Sequence, residues 1–301
     1  MLKNIVDSEI LKNPLDILAS KDILAVLKKH WVANHENLID PEKFVEAFFA
    51  EIKNLGSNRE INKLYQKKLK EFRDDSLDLG KPGDMFLEMI EEDLRGVETM
   101  LDFGCGKLAF LKNMAEKNLE IKKLIGIDLK SQPVLNGLDT RIEFHRSLSE
   151  IVDASVDLVT IKLVLHHLKS EQESQGIFAE LRRVLKADGK LIVFEESFPE
   201  TNCEVEEIEK YLAKFNLQMS EVTADFLQLS PEDKIKFLFI NDWLMNLQNT
   251  YMPWTMQYKS IERWQNLIVS VGFTEKESHF LGAIKHRKRK QGMTAELIFK
   301  I

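Results

Sequence analysis

The sequence predicts an α/β fold built on a mostly parallel sheet, with a helical region before it and a helical insertion late in it. Three observations predict it. From Thr99 onward, short apolar runs alternate with helical patterns, which implies a parallel sheet covered by helices on both faces. Within that alternation, residues 100–110, MLDFGCGKLAF, read as a strand, a tight glycine turn and a helix start. About twenty residues further on, a second apolar run, 124–127, ends in an acid, Asp128, at the tip of the next strand.

Residues 1–96 read as helical throughout. Pro14 can start a helix whose apolar stripe is Leu15, Ile17, Leu18, Ile23, Leu24, Val26 and Leu27. Asp40-Pro41 has the form of a cap and first helical position, followed by Phe44, Val45, Phe48, Phe49 and Ile52 at helical spacing. Gly56-Ser57-Asn58 breaks that helix. A charged segment, 59–73, follows, with Ile61, Leu64, Tyr65 and Leu69 on one face. Gly80-Lys81-Pro82-Gly83 punctuates the chain again, and a helix over 85–94 leads into the first strand.

The strands are expected at 99–103, 122–127, 141–145, 156–161, 190–196, 274–284 and 295–301. The helix before the fifth, 175–186, is expected to close at Ala187-Asp188-Gly189, where glycine suits a helix end. Residues 197–258 interrupt the crossover between the fifth and sixth strands and are dense in aromatics, among them Tyr211, Phe226, Phe237, Trp243, Tyr251 and Trp254. An insertion there emerges at the carboxyl end of the sheet, where ligands bind in open α/β folds. It would serve as a lid that excludes water, or as a helical pair closing a small core of its own. Tyr258-Lys259-Ser260 caps a last helix, 261–271, which ends at Gly272-Phe273.

The chain has 301 residues, 44% hydrophobic and 30% charged, as in ordinary globular proteins. A formal net charge of −7 argues against non-specific nucleic-acid binding. Two cysteines, Cys105 and Cys203, make neither a disulfide framework nor a metal-ligand set, which points to a reduced, cytoplasmic setting. The first residues lack the apolar core of a cleaved leader, and no run reaches the roughly 18 apolar residues of a membrane span.

Glycines are needed in the first turn because the backbone must bend sharply and approach a ligand closely. Asp128 is placed to accept hydrogen bonds from the two hydroxyls of a ribose. Gly104, Gly106 and Ala109 would also satisfy a dinucleotide-binding dehydrogenase, but Asp102 before the first glycine would repel a pyrophosphate and suits an ammonium. The D-x-G-x-G after one strand, with an acid ending the next, resembles the class I S-adenosylmethionine (SAM) dependent methyltransferases. The run FAELRRVLKADGKLIVFEE is similar to that family's segment between its fourth and fifth strands. The resemblance covers 99–196 well and 258–301 loosely. It implies a Rossmann-like seven-stranded sheet in the order 3-2-1-4-5-7-6 with the last strand antiparallel. It also implies SAM as cofactor and S-adenosylhomocysteine as product.

On that resemblance, Gly104 and Gly106 give access to the methionine part of the cofactor and Asp102 lies near its ammonium. Asp128 binds the ribose, Leu129 lies beside the adenine, and Ser147-Leu148 stands where relatives place an acid against the adenine amino group. Lys162 ends the fourth strand, where the family lines the methionine pocket through its backbone. Leu108 departs from a third glycine and Ser147 from the acid.

The chemistry implied is in-line attack on a sulfonium methyl, which needs alignment and dehydration, and a base only for a nucleophile that arrives protonated. His166 and His167 follow the fourth strand at that face, and a neutral imidazole there can take a proton near pH 7. As neighbours on a helix they would not face one metal ion, and no metal is expected. Glu195 and Glu196 end the fifth strand. Successive residues alternate faces, so one should point to the pocket, and Glu196 is the candidate catalytic acid or base.

The expected division is a helical region, 1–96, and a SAM-binding domain, 97–301, carrying the insertion at 197–258. The acceptor is expected to be a small molecule, bound by the N-terminal helices, the insertion and the strand ends. A basic run, His286-Arg287-Lys288-Arg289-Lys290, could instead serve nucleic-acid or nucleotide-linked methylation, or keep a hairpin soluble. Leu108 and Ser147 would also suit a partner protein that binds SAM without turnover. The apolar helical stripes would serve an intrachain lobe or a homodimer.

Overall fold

A computed structural model describes residues 14–73, 85–117, 120–129, 133–201, 203–248, 254–285 and 292–301. The Gly80–Gly83 punctuation, Tyr251 and the basic run 286–290 lie outside the described residues. The chain divides into two compact units. One comprises Met1–Pro82, Cys203–Tyr258 and Leu281–Met293; the other comprises Gly83–Asn202, Lys259–Phe280 and Thr294–Ile301.

The first unit is helical. A 3-10 turn, Pro14–Ala19, precedes α1 (Lys21–Ala33). The single helix expected from Pro14 is therefore two elements. Ser20 divides them, because its hydroxyl accepts from Ile23 N–H and caps α1. α2 (Pro41–Ile52) begins as the sequence indicates, with Asp40 accepting from Lys43 N–H at 2.9 Å and Pro41 at the first position. α3 (Asn58–Phe72) starts at Ser57.

These three helices close on Trp31, which stacks on Phe48 (5.1 Å between ring centroids) and meets Phe49 and Tyr65 edge-on. Each fully buried aromatic or aliphatic side chain here contributes about 1.5–3 kcal/mol. His35 joins the same core and is satisfied there by the Trp31 carbonyl and the Tyr65 hydroxyl.

α7, α8 and α9 of the insertion belong to this unit as well (Val205–Ala213, Val222–Leu227 and Pro231–Met245). Phe237 of α9 lies edge-on to His30 of α1 and beside Phe226 of α8. Tyr258 donates to Asp242 at 2.9 Å.

The second unit holds the sheet. Its strands are β1 (Thr99–Phe103), β2 (Lys123–Ile127), β3 (Ile142–His145), β4 (Val156–Lys162), β5 (Leu185–Phe198), β6 (Lys259–Ser260), β7 (Thr274–Gly282) and β8 (Thr294–Lys300). The order is β3-β2-β1-β4-β5-β8-β7, with the two-residue β6 paired to the end of β5. Apart from that extra pairing, this is the expected order. β3-β2-β1-β4-β5 run parallel and β8 is antiparallel to β5.

α4 (Met85–Met89) and a 3-10 turn (Glu91–Leu94) lead into β1 where one helix was expected. α5 (Ala109–Lys117) follows β1, and α6 (Glu171–Val184) follows β4. α10 (Ile261–Ser270) is capped by Ser260, which accepts from Arg263 N–H at 3.1 Å.

The expected helix end at Ala187-Asp188-Gly189 is not one. α6 stops at Val184, and β5 is already running from Leu185, with a shift of register against β4 between Val156 and Leu158. The glycine serves a bulge, since a Cβ there would lie 2.9 Å from the Lys186 carbonyl oxygen.

Candidate active site

The carboxyl ends of β1, β2, β4 and β5 bring most of the expected residues together. Asp102 sits in β1 opposite Thr160 of β4, 2% exposed, and accepts from the Thr160 hydroxyl at 2.8 Å. Beyond it the chain bends. Gly104 N–H donates to the Ile127 carbonyl at 2.7 Å and Cys105 N–H to the same oxygen at 3.1 Å, so the bend is pinned to the end of β2.

Gly104 has φ of 76°, and a Cβ there would lie 2.2 Å from Val164 Cγ2. Both conformation and space require glycine. Gly106 has φ of 53°, and a Cβ on it would meet nothing within 4 Å, so the backbone at this point faces open space.

Gly106 N–H donates to Asp128 Oδ2 at 3.0 Å, which ties the bend after β1 to the acid after β2. The Cys105 thiol registers the same arrangement. Burial first, and then the charges of Asp102 and Asp128, push it well above the ordinary thiol range, so it stays protonated.

Leu129 is 61% exposed directly after Asp128. The Ser147 hydroxyl accepts from Ser149 N–H at 3.2 Å and caps the 3-10 turn Leu148–Glu150. Glu150 completes that cap by accepting from Ser147 N–H at 3.0 Å. Leu148 is buried. Lys162 turns its ammonium onto Phe110 of α5, 3.2 Å from the ring centroid.

After β4 the chain makes a tight loop. Leu163 has φ of 54°, and Leu165–His167 is a single 3-10 turn. Glu195 of β5, fully buried, holds this loop. Its Oε2 accepts from Val164 N–H (3.1 Å) and Leu165 N–H (2.6 Å), and its Oε1 from Glu196 N–H (2.8 Å). The same Oε1 is hydrogen-bonded to His166 Nδ1. A carboxylate only accepts, so Nδ1 carries the proton and Nε2 is the basic nitrogen.

His166 is buried and His167 half-buried, with 3.9 Å between their ring centroids. Glu196 is also buried, opposite Thr294 of β8. The sequence marks Glu195 as a strand-end acid, but its hold on the loop carrying His166 is a tertiary contact that chain order does not show. The alternation of strand faces separates Glu195 from Glu196 without saying which faces which way.

Residues 101–193 match a family described as a methyltransferase domain. The sheet order found here is the one that the resemblance to class I SAM-dependent methyltransferases implies. No curated protein sequence matches the chain.

Among solved structures, the chain is similar to a SAM-dependent methyltransferase from Mesorhizobium loti, with 15% identity over 73% of this chain and 99% of that one and a TM-score of 0.44. It is similar to a mitomycin 7-O-methyltransferase at 12% identity, over 94% and 69% of the two chains, with a TM-score of 0.46. A phospholethanolamine N-methyltransferase from Haemonchus contortus, solved with S-adenosylhomocysteine, shares 16% identity over 67% of this chain and 40% of its own, with a TM-score of 0.41.

Proposed function

We propose that this chain moves the methyl group of SAM to a small-molecule acceptor, leaving S-adenosylhomocysteine. The observation that carries the reading is the tie between Gly106 N–H and Asp128, beside a glycine whose missing side chain leaves open space. The residues suit the cofactor on these grounds. Asp128 would take the ribose hydroxyls, the bend at Gly104 and Gly106 would border the methionine part, and Asp102 would answer the ammonium. Leu129, Leu148 and Ser147 would border the adenine, and Lys162 the end of the methionine pocket. Bound there, SAM would supply a methyl group already activated on a sulfonium.

What remains for the protein is alignment, exclusion of water and, for a protonated acceptor, removal of a proton. His166 is the best placed base. Glu195 fixes its ring and tautomer, which leaves Nε2 to take the proton. His167, against the same ring, would shape the acceptor side, while Glu196, next on β5, falls on the opposite face from Glu195.

Titration calorimetry with SAM tests the reading. One site per chain is expected, and Asp128→Ala should weaken binding about tenfold or more through loss of a charged hydrogen-bond acceptor. No binding at millimolar SAM would overturn it. With labelled SAM and a panel of hydroxyl and amine acceptors, His166→Ala should lower turnover by about 10²–10⁴ while leaving SAM affinity nearly intact.

A further inference from the structure

The contacts behind His166 continue past Glu195. Two residues along β5, Ser197 pairs in parallel register with Lys259 of β6, and its hydroxyl donates to the Lys259 carbonyl at 2.8 Å. Residues in register on neighbouring strands project to the same face, as do residues two apart on one strand. Lys259 therefore projects from the same side of the sheet as Glu195. It is 4% exposed, and its Nζ lies 4.6 Å from the ring centroid of Trp264 on α10.

A buried ammonium is costly unless anions answer it. Glu171, at the start of α6, and Glu195 both favour its charge, while Arg263 of α10 opposes it. Arg263 is itself ion-paired with Glu171.

We propose that Lys259 is a positioning residue for His166: its charge lies on the face of the sheet that carries Glu195, and Glu195 fixes the imidazole through Nδ1. The proposal rests on the reading of His166 as the base. Burial lowers the Lys259 ammonium to about 8, so the cation is still present at neutral pH.

The sign of its effect follows from charge. When His166 gives up its proton beside an ionised Glu195, the pair passes from neutral to singly negative. A nearby cation favours the negative form and lowers the pH at which the proton leaves. Removing the cation raises that pH, by about one unit for a charge close by within the protein.

The test is the titration of the His166 imidazole in the full chain, followed by NMR with labelled histidine and assigned by its loss in His166→Gln. The midpoint is expected to rise by about one pH unit in Lys259→Met and to stay near the wild-type value in Lys259→Arg. An unmoved midpoint in Lys259→Met, or an equal rise in Lys259→Arg, would overturn the proposal. Lys259→Gln makes the same comparison should the methionine variant fail to fold. Calorimetry with SAM separates this from the functional reading. A chain that shows the shift but binds no SAM keeps the coupling and loses methyl transfer. A chain that binds SAM without the shift loses only the coupling.

Discussion

Leu108 holds a backbone conformation that an L side chain resists: its φ is 65°, and its side chain is fully buried. It stands where the family resemblance implies a third glycine, and the bend keeps the left-handed geometry that glycine would adopt freely. The compensation lies on another strand. A Cβ on Gly126 of β2 would fall 2.6 Å from Leu108 Cδ2 and 2.8 Å from Cys105 Sγ, so the missing side chain on β2 makes the room that Leu108 fills.

Gly126→Ala should therefore cost about 1–3 kcal/mol through overpacking. Leu108→Ala should cost about 2–4 kcal/mol through the cavity it leaves. The double variant should lose less than the sum by at least ~0.5 kcal/mol, measured by urea unfolding, because each change relieves the other. The departure at Leu108 was legible in the sequence. Its reason was not, since nothing in the chain order pairs residue 108 with residue 126. The same limit applies to Glu195 and Glu196, where the period of a strand gives the alternation and only packing against the loop 163–167 gives the assignment.

Among the elements, a boundary is legible where a local signal ends an apolar run. β1 to β4 stop near an acid, a lysine or a loop and were placed within a residue or two. A boundary is not legible where one residue type serves two structures. Gly189 was read as a helix end because glycine suits that position, but here it accommodates a bulge against the Lys186 carbonyl. Ser20 was passed over inside a continuous apolar stripe, because the stripe follows helical spacing on both sides of the cap.

The caps that were read correctly carry measurable weight. Asp40 accepts from Lys43 N–H at the start of α2, so Asp40→Ala should destabilise the helical unit by about 1 kcal/mol. Fluorescence of Trp31, stacked on Phe48 of α2, should report this in urea unfolding.

For the molecule as a whole, Lys259 predicts that stability and function pull in opposite directions. Its ammonium is held at about 8, below the 10.5 of an exposed lysine, chiefly by burial. Between these two values the unfolded chain binds more protons at this site than the folded one, so the contribution of Lys259 to stability rises with pH across that window. Below about pH 8 the folded protein carries the full penalty of a buried charge, and above about pH 10.5 the penalty is gone. A shift of this size corresponds to about 3 kcal/mol. Lys259→Met should therefore be more stable than the wild type at pH 7 by up to about 3 kcal/mol, and the gap should close by pH 10 to 11. Urea unfolding of both chains at the two pH values measures it, and taking the difference cancels the other lysines and tyrosines that titrate in the same range. A gap that stays constant with pH would mean that Lys259 sheds no charge on this scale. A gap that closes would show the folded protein keeping a destabilising buried cation at this position.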